Sequence, residues 1–60
     1  MEFIELTKPS GKKVFVNAAH ITFIEIGEGD DKYWTYIATD SGATWVRETI
    51  EQVLEKLNRS

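Results

Sequence analysis

The most constraining feature of this sequence is the absence of cysteine from a chain of only 60 residues. A domain of this size hides only about 60% of the surface that its unfolded chain exposes, so its hydrophobic core is small. Such domains usually depend on disulfides, a bound metal, oligomerisation or unusually good packing, and disulfides require cysteine. The sequence therefore predicts one small domain, residues 1–60, in which close packing and association with other chains supply the stability.

The chain is weakly acidic, because ten acidic residues outnumber seven basic ones and the formal net charge is −3. This balance provides no overall attraction to phosphate backbones or anionic lipids. No apolar run approaches the about 18 residues that a membrane-spanning helix needs. No basic segment followed by an apolar run opens the chain, as a secretion signal would. We therefore expect a cytoplasmic protein without membrane contact.

Short runs rich in β-branched and aromatic residues, separated by turn residues, predict a mostly β fold. Five strands are expected, at about residues 2–7, 12–17, 21–27, 32–39 and 43–47. Residues 17–20 are too few for an α-helix, and we expect a turn or one 3₁₀ turn there. The predicted fold class is α+β: a five-stranded antiparallel sheet curled into an SH3-like or small open barrel, with one C-terminal helix.

The C-terminal helix is expected over about residues 49–58. Thr49 followed by Gln52 forms the T-x-x-Q pattern of a capping box. Apolar residues then recur with helical spacing along one face, at Ile50, Val53, Leu54 and Leu57. We expect this face to cover the sheet.

The turn at residues 39–42 predicts the register of the last hairpin. Its sequence Thr-Asp-Ser-Gly is typical of a three-residue loop that ends in a left-handed glycine. This register places Trp45 beside Ile37 in the core and leaves an opposite face that carries Trp34, Tyr36 and Val46. Because one helix cannot cover two apolar faces, these last three residues are the candidate interface, for a second copy in a two-fold dimer or for another protein.

No group of residues has the pattern of a catalytic, metal-binding or cofactor-binding site. His20 is the only histidine, and the three serines lie in turn or terminal positions, without the setting of a catalytic nucleophile. Glu28, Asp30 and Asp31 lack the alternating ligands of a calcium loop. The glycines do not precede a helix that would hold a phosphate. We expect a protein without enzymatic activity, metal or cofactor.

Seven aromatic residues are a large number for this chain. A stacking surface for single-stranded nucleic acid needs lysine and arginine among the aromatics, but only Lys32 and Arg47 flank the aromatic strands. Trp and Tyr are also the residues most enriched at protein interfaces. This composition favours protein contacts over nucleic acid.

Short motifs distributed along nearly the whole chain carry a family resemblance. They are Ile4-Glu5-Leu6-Thr7-Lys8, Gly11-Lys12, Val16-Asn17, Ile21 with Ile24-Glu25, and Val46-Arg47-Glu48-Thr49 leading into Glu51-Gln52-Val53. Together they resemble the flagellar FlbD (SwrD-like) family of small proteins, from which the chain departs at residues 40–42 and in a longer loop at 27–31. The resemblance implies a compact, non-enzymatic β-protein that serves as an accessory or adaptor in a motility or phage-like setting.

A second set of motifs favours a different function. Leu6-Thr7-Lys8, Gly11 and Val46-Arg47-Glu48 before the helix are similar to segments of the carbon storage regulator family of RNA-binding translational repressors. This resemblance implies RNA contacts at Lys8 and Arg47, brought together by pairing of the first and last strands. Pro9 stands where that family has a second arginine. RNA-binding translational regulation is therefore the alternative function.

Overall fold

The structure, a computed structural model, describes residues 2–28 and 34–59 and is mostly β with one C-terminal helix, as the sequence predicts. Its elements are β1 Phe3–Thr7, β2 Lys13–Asn17, a 3₁₀ helix Ala18–His20, β3 Ile21–Ile26, β4 Thr35–Thr39, β5 Gly42–Val46 and α1 Ile50–Arg59. The expected 3₁₀ turn is confirmed. Residues 32 and 33, expected in the fourth strand, lie outside the described residues. Within residues 2–28 and 34–59, no helix is long and apolar enough to cross a membrane.

The five strands form two antiparallel sheets, so the expected single curled sheet is wrong. β1 pairs with β2, whereas β3, β4 and β5 form a separate sheet in that order. The 3₁₀ helix separates the two sheets in the chain, and Asn17 Oδ1 caps it by accepting a hydrogen bond from Ala19 N at 3.0 Å. Because this helical turn redirects the backbone between β2 and β3, these two strands do not continue one ladder.

The two sheets are joined where β5 ends and the helix is about to begin. Arg47 N donates to Thr7 O at 2.8 Å, which links the ends of β1 and β5. The Glu48 carboxylate accepts from Thr7 N and from Thr7 Oγ1, both at 2.9 Å. Thr35 Oγ1 on β4 donates to the Glu48 backbone carbonyl at 2.7 Å. Residues 47 and 48 therefore bind both sheets.

The turn between β1 and β2 follows from its sequence. Gly11 N donates to Lys8 O at 2.9 Å and closes a β-turn in which Pro9 occupies the second position. Gly11 has φ +95°, a left-handed conformation that a residue with a Cβ rarely adopts. This turn sets a register that pairs Ile4 with Val16 and Leu6 with Val14.

The register expected for the last hairpin is wrong by one residue. Thr39 pairs with Gly42 across a two-residue loop, and Trp45 therefore lies opposite Tyr36 and not opposite Ile37. The Thr39 hydroxyl explains the tighter loop, because it accepts from Ser41 N at 3.3 Å and donates to Gly42 O at 3.0 Å. A one-residue change of register moves every side chain of β5 to the other face of the sheet.

The core lies between the two sheets and the helix. Its buried apolar residues come from four strands and α1: Ile4, Leu6, Val16, Ile37, Val46 and Val53. Leu57 packs against this cluster, but Leu54, which was expected in the same stripe, is 48% exposed. The helix therefore covers the inner faces of the sheets and leaves their outer faces free of its side chains.

Candidate protein-interaction surface

Three aromatic side chains lie next to one another on the outer face of the three-stranded sheet. Tyr36 on β4 is the register partner of Trp45 on β5, and their ring centroids are 5.0 Å apart. The Phe23 ring on β3 lies 6.3 Å from that of Tyr36. We call Phe23, Tyr36 and Trp45 the aromatic surface. It crosses all three strands of the sheet.

A β-bulge directs Phe23 outward. The ladder pairs Ile21 with Thr39 and Phe23 with Ala38, so Thr22 is an extra residue in β3. The Thr22 hydroxyl donates to the Ala38 carbonyl at 3.2 Å. Because of this extra residue, both Ile21 and Ile24 pack against the core although they are three positions apart. Phe23, which lies between them, must then face away from the core.

The aromatic surface is accessible. Phe23 is 49% exposed, and Tyr36 and Trp45 are half-buried. Beside them the outer face carries Ala38 and Ala43, which are paired across β4 and β5 and are too small to cover the rings. The rings are tilted by 39° and 56° to each other, so the surface is uneven and not a flat stacking plane.

The structure places the three predicted interface residues differently from one another. Tyr36 lies at the centre of the aromatic surface. Trp34 immediately precedes β4, is half-buried, and accepts a hydrogen bond from Gly27 N at 2.9 Å through its carbonyl. Val46 is fully buried in the core, so its assignment to the outer face is wrong. The same register places Trp45 on the outer face, so its expected position in the core is wrong.

Phe23 was not among the predicted interface residues. Side chains alternate between the two faces of a regular strand, so this alternation cannot place all three of Ile21, Phe23 and Ile24 on one face. The spacing of Ile21 and Ile24 was therefore the available signal for a bulge. Trp45 gave no comparable local signal, because its face depends on the register of the hairpin.

The two candidate RNA contacts lie near the joint between β1 and β5. Arg47 Nε donates to the Pro9 carbonyl at 3.1 Å, and Arg47 Nη2 contacts the same oxygen. Lys8 is exposed and directly follows Thr7, whose carbonyl accepts from Arg47 N. The ends of the first and last strands thus meet, and the Arg47 guanidinium is hydrogen-bonded to the turn between β1 and β2.

The described residues contain no group of three or more side chains suited to hold a metal ion. The single histidine, His20, lies 2.8 Å from Asp40 through Nδ1, and both side chains are more than half exposed. Asp30 and Asp31 lie outside the described residues. Comparison of the chain with protein-family models, with curated proteins and with solved structures finds no match.

Proposed function

We propose that this chain is a non-enzymatic accessory or adaptor protein that acts through protein contacts made by its aromatic surface. The observation that carries the proposal is the position of Phe23, Tyr36 and Trp45 on a sheet face that the helix leaves uncovered. An exposed apolar group of this kind is typical of interaction sites. The setting that fits the FlbD-like resemblance is cytoplasmic and associated with motility or phage functions. In this proposal the two sheets form an SH3-like open barrel that is joined at Thr7 and Arg47.

The chemistry around the aromatic surface favours a protein partner over a nucleic acid. Glu25 is the register partner of Tyr36, so the neighbour of the central ring is acidic. Single-stranded nucleic acid is bound by aromatics beside basic residues, and a carboxylate there repels phosphate. The tilted rings also suit the irregular surface of a protein better than a row of stacked bases.

The first partner that we propose is a second copy of the chain, in a two-fold dimer. A domain of 60 residues without cysteine has a small core and gains much from burying further apolar surface. The outer face presents the three rings of the aromatic surface beside Ala43, so two copies can pack face to face through these side chains, with the Glu25 carboxylate of each copy next to the contact. Another protein with an apolar surface is the other partner consistent with an adaptor role.

The test compares two exposed phenylalanines that lie on different sheets. Phe23→Ser alters the aromatic surface, whereas Phe15→Ser alters the two-stranded sheet, where Phe15 is 63% exposed. Light scattering coupled to size-exclusion chromatography, over about a hundredfold dilution, reports the mass and its dependence on concentration. We expect a wild-type dimer that Phe23→Ser weakens and Phe15→Ser leaves intact. A wild-type mass of one chain at the highest concentration, or a dimer that only Phe15→Ser weakens, would contradict the proposed dimer.

RNA binding remains the alternative, and one contact favours it. The hydrogen bond from Arg47 N to Thr7 O brings the ends of β1 and β5 together, as the resemblance to the carbon storage regulator family requires. The net charge of −3 opposes it, because nonspecific affinity for RNA comes mainly from basic residues.

A further inference from the structure

The outer edge of β3 carries backbone groups that are directed away from its own sheet. Gly27 N donates to Trp34 O at 2.9 Å, so this pair is a hydrogen-bonded one. Hydrogen-bonded and non-hydrogen-bonded pairs alternate along an antiparallel ladder. Ile24 and Ile26 therefore belong to non-hydrogen-bonded pairs with β4, and their N–H and C=O groups point to the opposite side.

That edge is open. β3 is the terminal strand of its sheet, with β4 as its neighbour. Among residues 2–28 and 34–59, no hydrogen bond from another segment reaches the outward backbone groups of Ile24 or Ile26. Unpaired strand edges are templates on which a further strand can form.

β3 lacks most of the features that protect edge strands from pairing. Its sequence from 21 to 26 contains neither lysine nor proline, and its bulge lies at the start, at Thr22. The rest of the strand is regular, and it exposes Phe23 on one face and Ile26, 59% exposed, on the other. By contrast, β2 begins with the exposed Lys13, and β1 is engaged near its end through Thr7.

The charge along β3 determines which strand fits. Glu25 and the following Glu28 are both exposed. A second copy of β3 would bring Glu25 near its own equivalent, and like charges close together across strands are unfavourable. A strand with lysine or arginine would place opposite charge beside these carboxylates.

We propose that the outer edge of β3 binds an extended segment of a partner protein in which apolar and basic residues alternate. The segment adds a fourth strand to the sheet, pairs with the backbone groups of Ile24 and Ile26, and sets basic side chains beside Glu25. This inference rests on the proposed function, because it specifies the kind of partner that the proposed adaptor binds. The site is separate from the rings of Tyr36 and Trp45.

The probe is an acetylated and amidated peptide of alternating lysine and valine, of the same length as β3, titrated into the full chain and followed by amide NMR. We expect the amides of Ile24 and Ile26 to shift and to gain protection from hydrogen exchange. A matched peptide of alternating glutamate and valine should bind at least about tenfold more weakly, because every basic cross-strand partner becomes acidic.

Two variants at one position separate backbone pairing from side-chain contact. Ile26→Pro removes the outward N–H without removing a bond to β4, and proline is tolerated on the solvent side of an edge strand. Ile26→Thr keeps the N–H and loses apolar surface. Binding of the lysine-valine peptide should be lost in Ile26→Pro and retained within about threefold in Ile26→Thr, provided that both spectra remain those of the folded chain.

The outcomes distinguish this inference from the proposed function. A Phe23-dependent dimer that does not bind the peptide, or that binds it equally in wild type and Ile26→Pro, overturns the edge proposal alone. If the Ile24 and Ile26 amides of the dimer were already protected from hydrogen exchange before any peptide is added, the second copy would be the strand bound at this edge. That result would also overturn the edge proposal. Peptide binding at these amides in a chain that stays monomeric supports the edge proposal and contradicts the dimer.

Discussion

Glu48 is the residue on which the contact between the two sheets most depends. Its carboxylate accepts two hydrogen bonds from Thr7 on β1, and its carbonyl accepts one from the fully buried Thr35 on β4. A hydrogen bond to a charged group stabilises a protein more than one between neutral groups does. The segment Val46-Arg47-Glu48, which is part of both family resemblances, therefore has a structural role here, because it joins the sheets directly before the helix.

We expect Glu48→Ala to lower the free energy of unfolding by about 2 kcal/mol, because it leaves the Thr7 amide and hydroxyl without their acceptors. Glu48→Gln should lower it less, since the amide oxygen still accepts one bond. The control is Glu55→Ala, which removes an exposed ion pair with Arg59 and should change stability by no more than about 0.5 kcal/mol. Urea denaturation measures all three. Equal effects of Glu48→Ala and Glu55→Ala would show that the Glu48 contacts do not hold the sheets together.

At the scale of elements, the helix owes its position in the chain to the capping box. Thr49 N donates to Gln52 Oε1 at 2.9 Å, and Gln52 N donates to Thr49 Oγ1 at 3.2 Å. This reciprocal pair was predicted from sequence and is confirmed. It satisfies amides at the N-terminus that have no partner within the helix. The helix then extends over Ile50–Arg59 and buries Val53.

We expect Thr49→Ala to lower the free energy of unfolding by about 1 kcal/mol, because the Gln52 amide loses its side-chain acceptor. Thr49→Ser keeps the hydroxyl and should remain within a few tenths of wild type. Thermal and urea unfolding followed by circular dichroism compare the three proteins. If the alanine and serine variants were equally stable, the cap would not contribute to the fold.

At the scale of the whole molecule, net charge and exposed apolar surface both bear on the proposed function. The chain is acidic overall, and Glu25 lies beside the central ring of the aromatic surface. The core takes its apolar residues from the inner faces of the sheets, while Phe3, Phe15 and Phe23 remain exposed. Both properties support the proposed protein contacts over contacts to phosphate.

We expect short labelled single-stranded RNAs to show no submicromolar binding, at low or at moderate salt. Binding of the regulator type would weaken steeply as salt rises, because basic residues release counterions from the phosphates. Titrations with wild type and Arg47→Ala test this, with the melting temperature of each protein as a control for folding. Submicromolar binding that is lost in a folded Arg47→Ala variant would make RNA binding the leading function.

Local sequence was enough to locate most elements of this protein, but tertiary structure decided their partners and faces. The strand positions, the 3₁₀ turn and the capping box depend on groups only a few residues apart, such as Thr49 and Gln52. The joining of the two sheets depends on Thr7 meeting residues 47 and 48, a long-range contact that no local pattern encodes. The aromatic surface depends on the Thr39 hydroxyl, which tightens a loop by one residue. Because side chains alternate between faces in a strand, that one residue exchanges Trp45 and Val46 between surface and core.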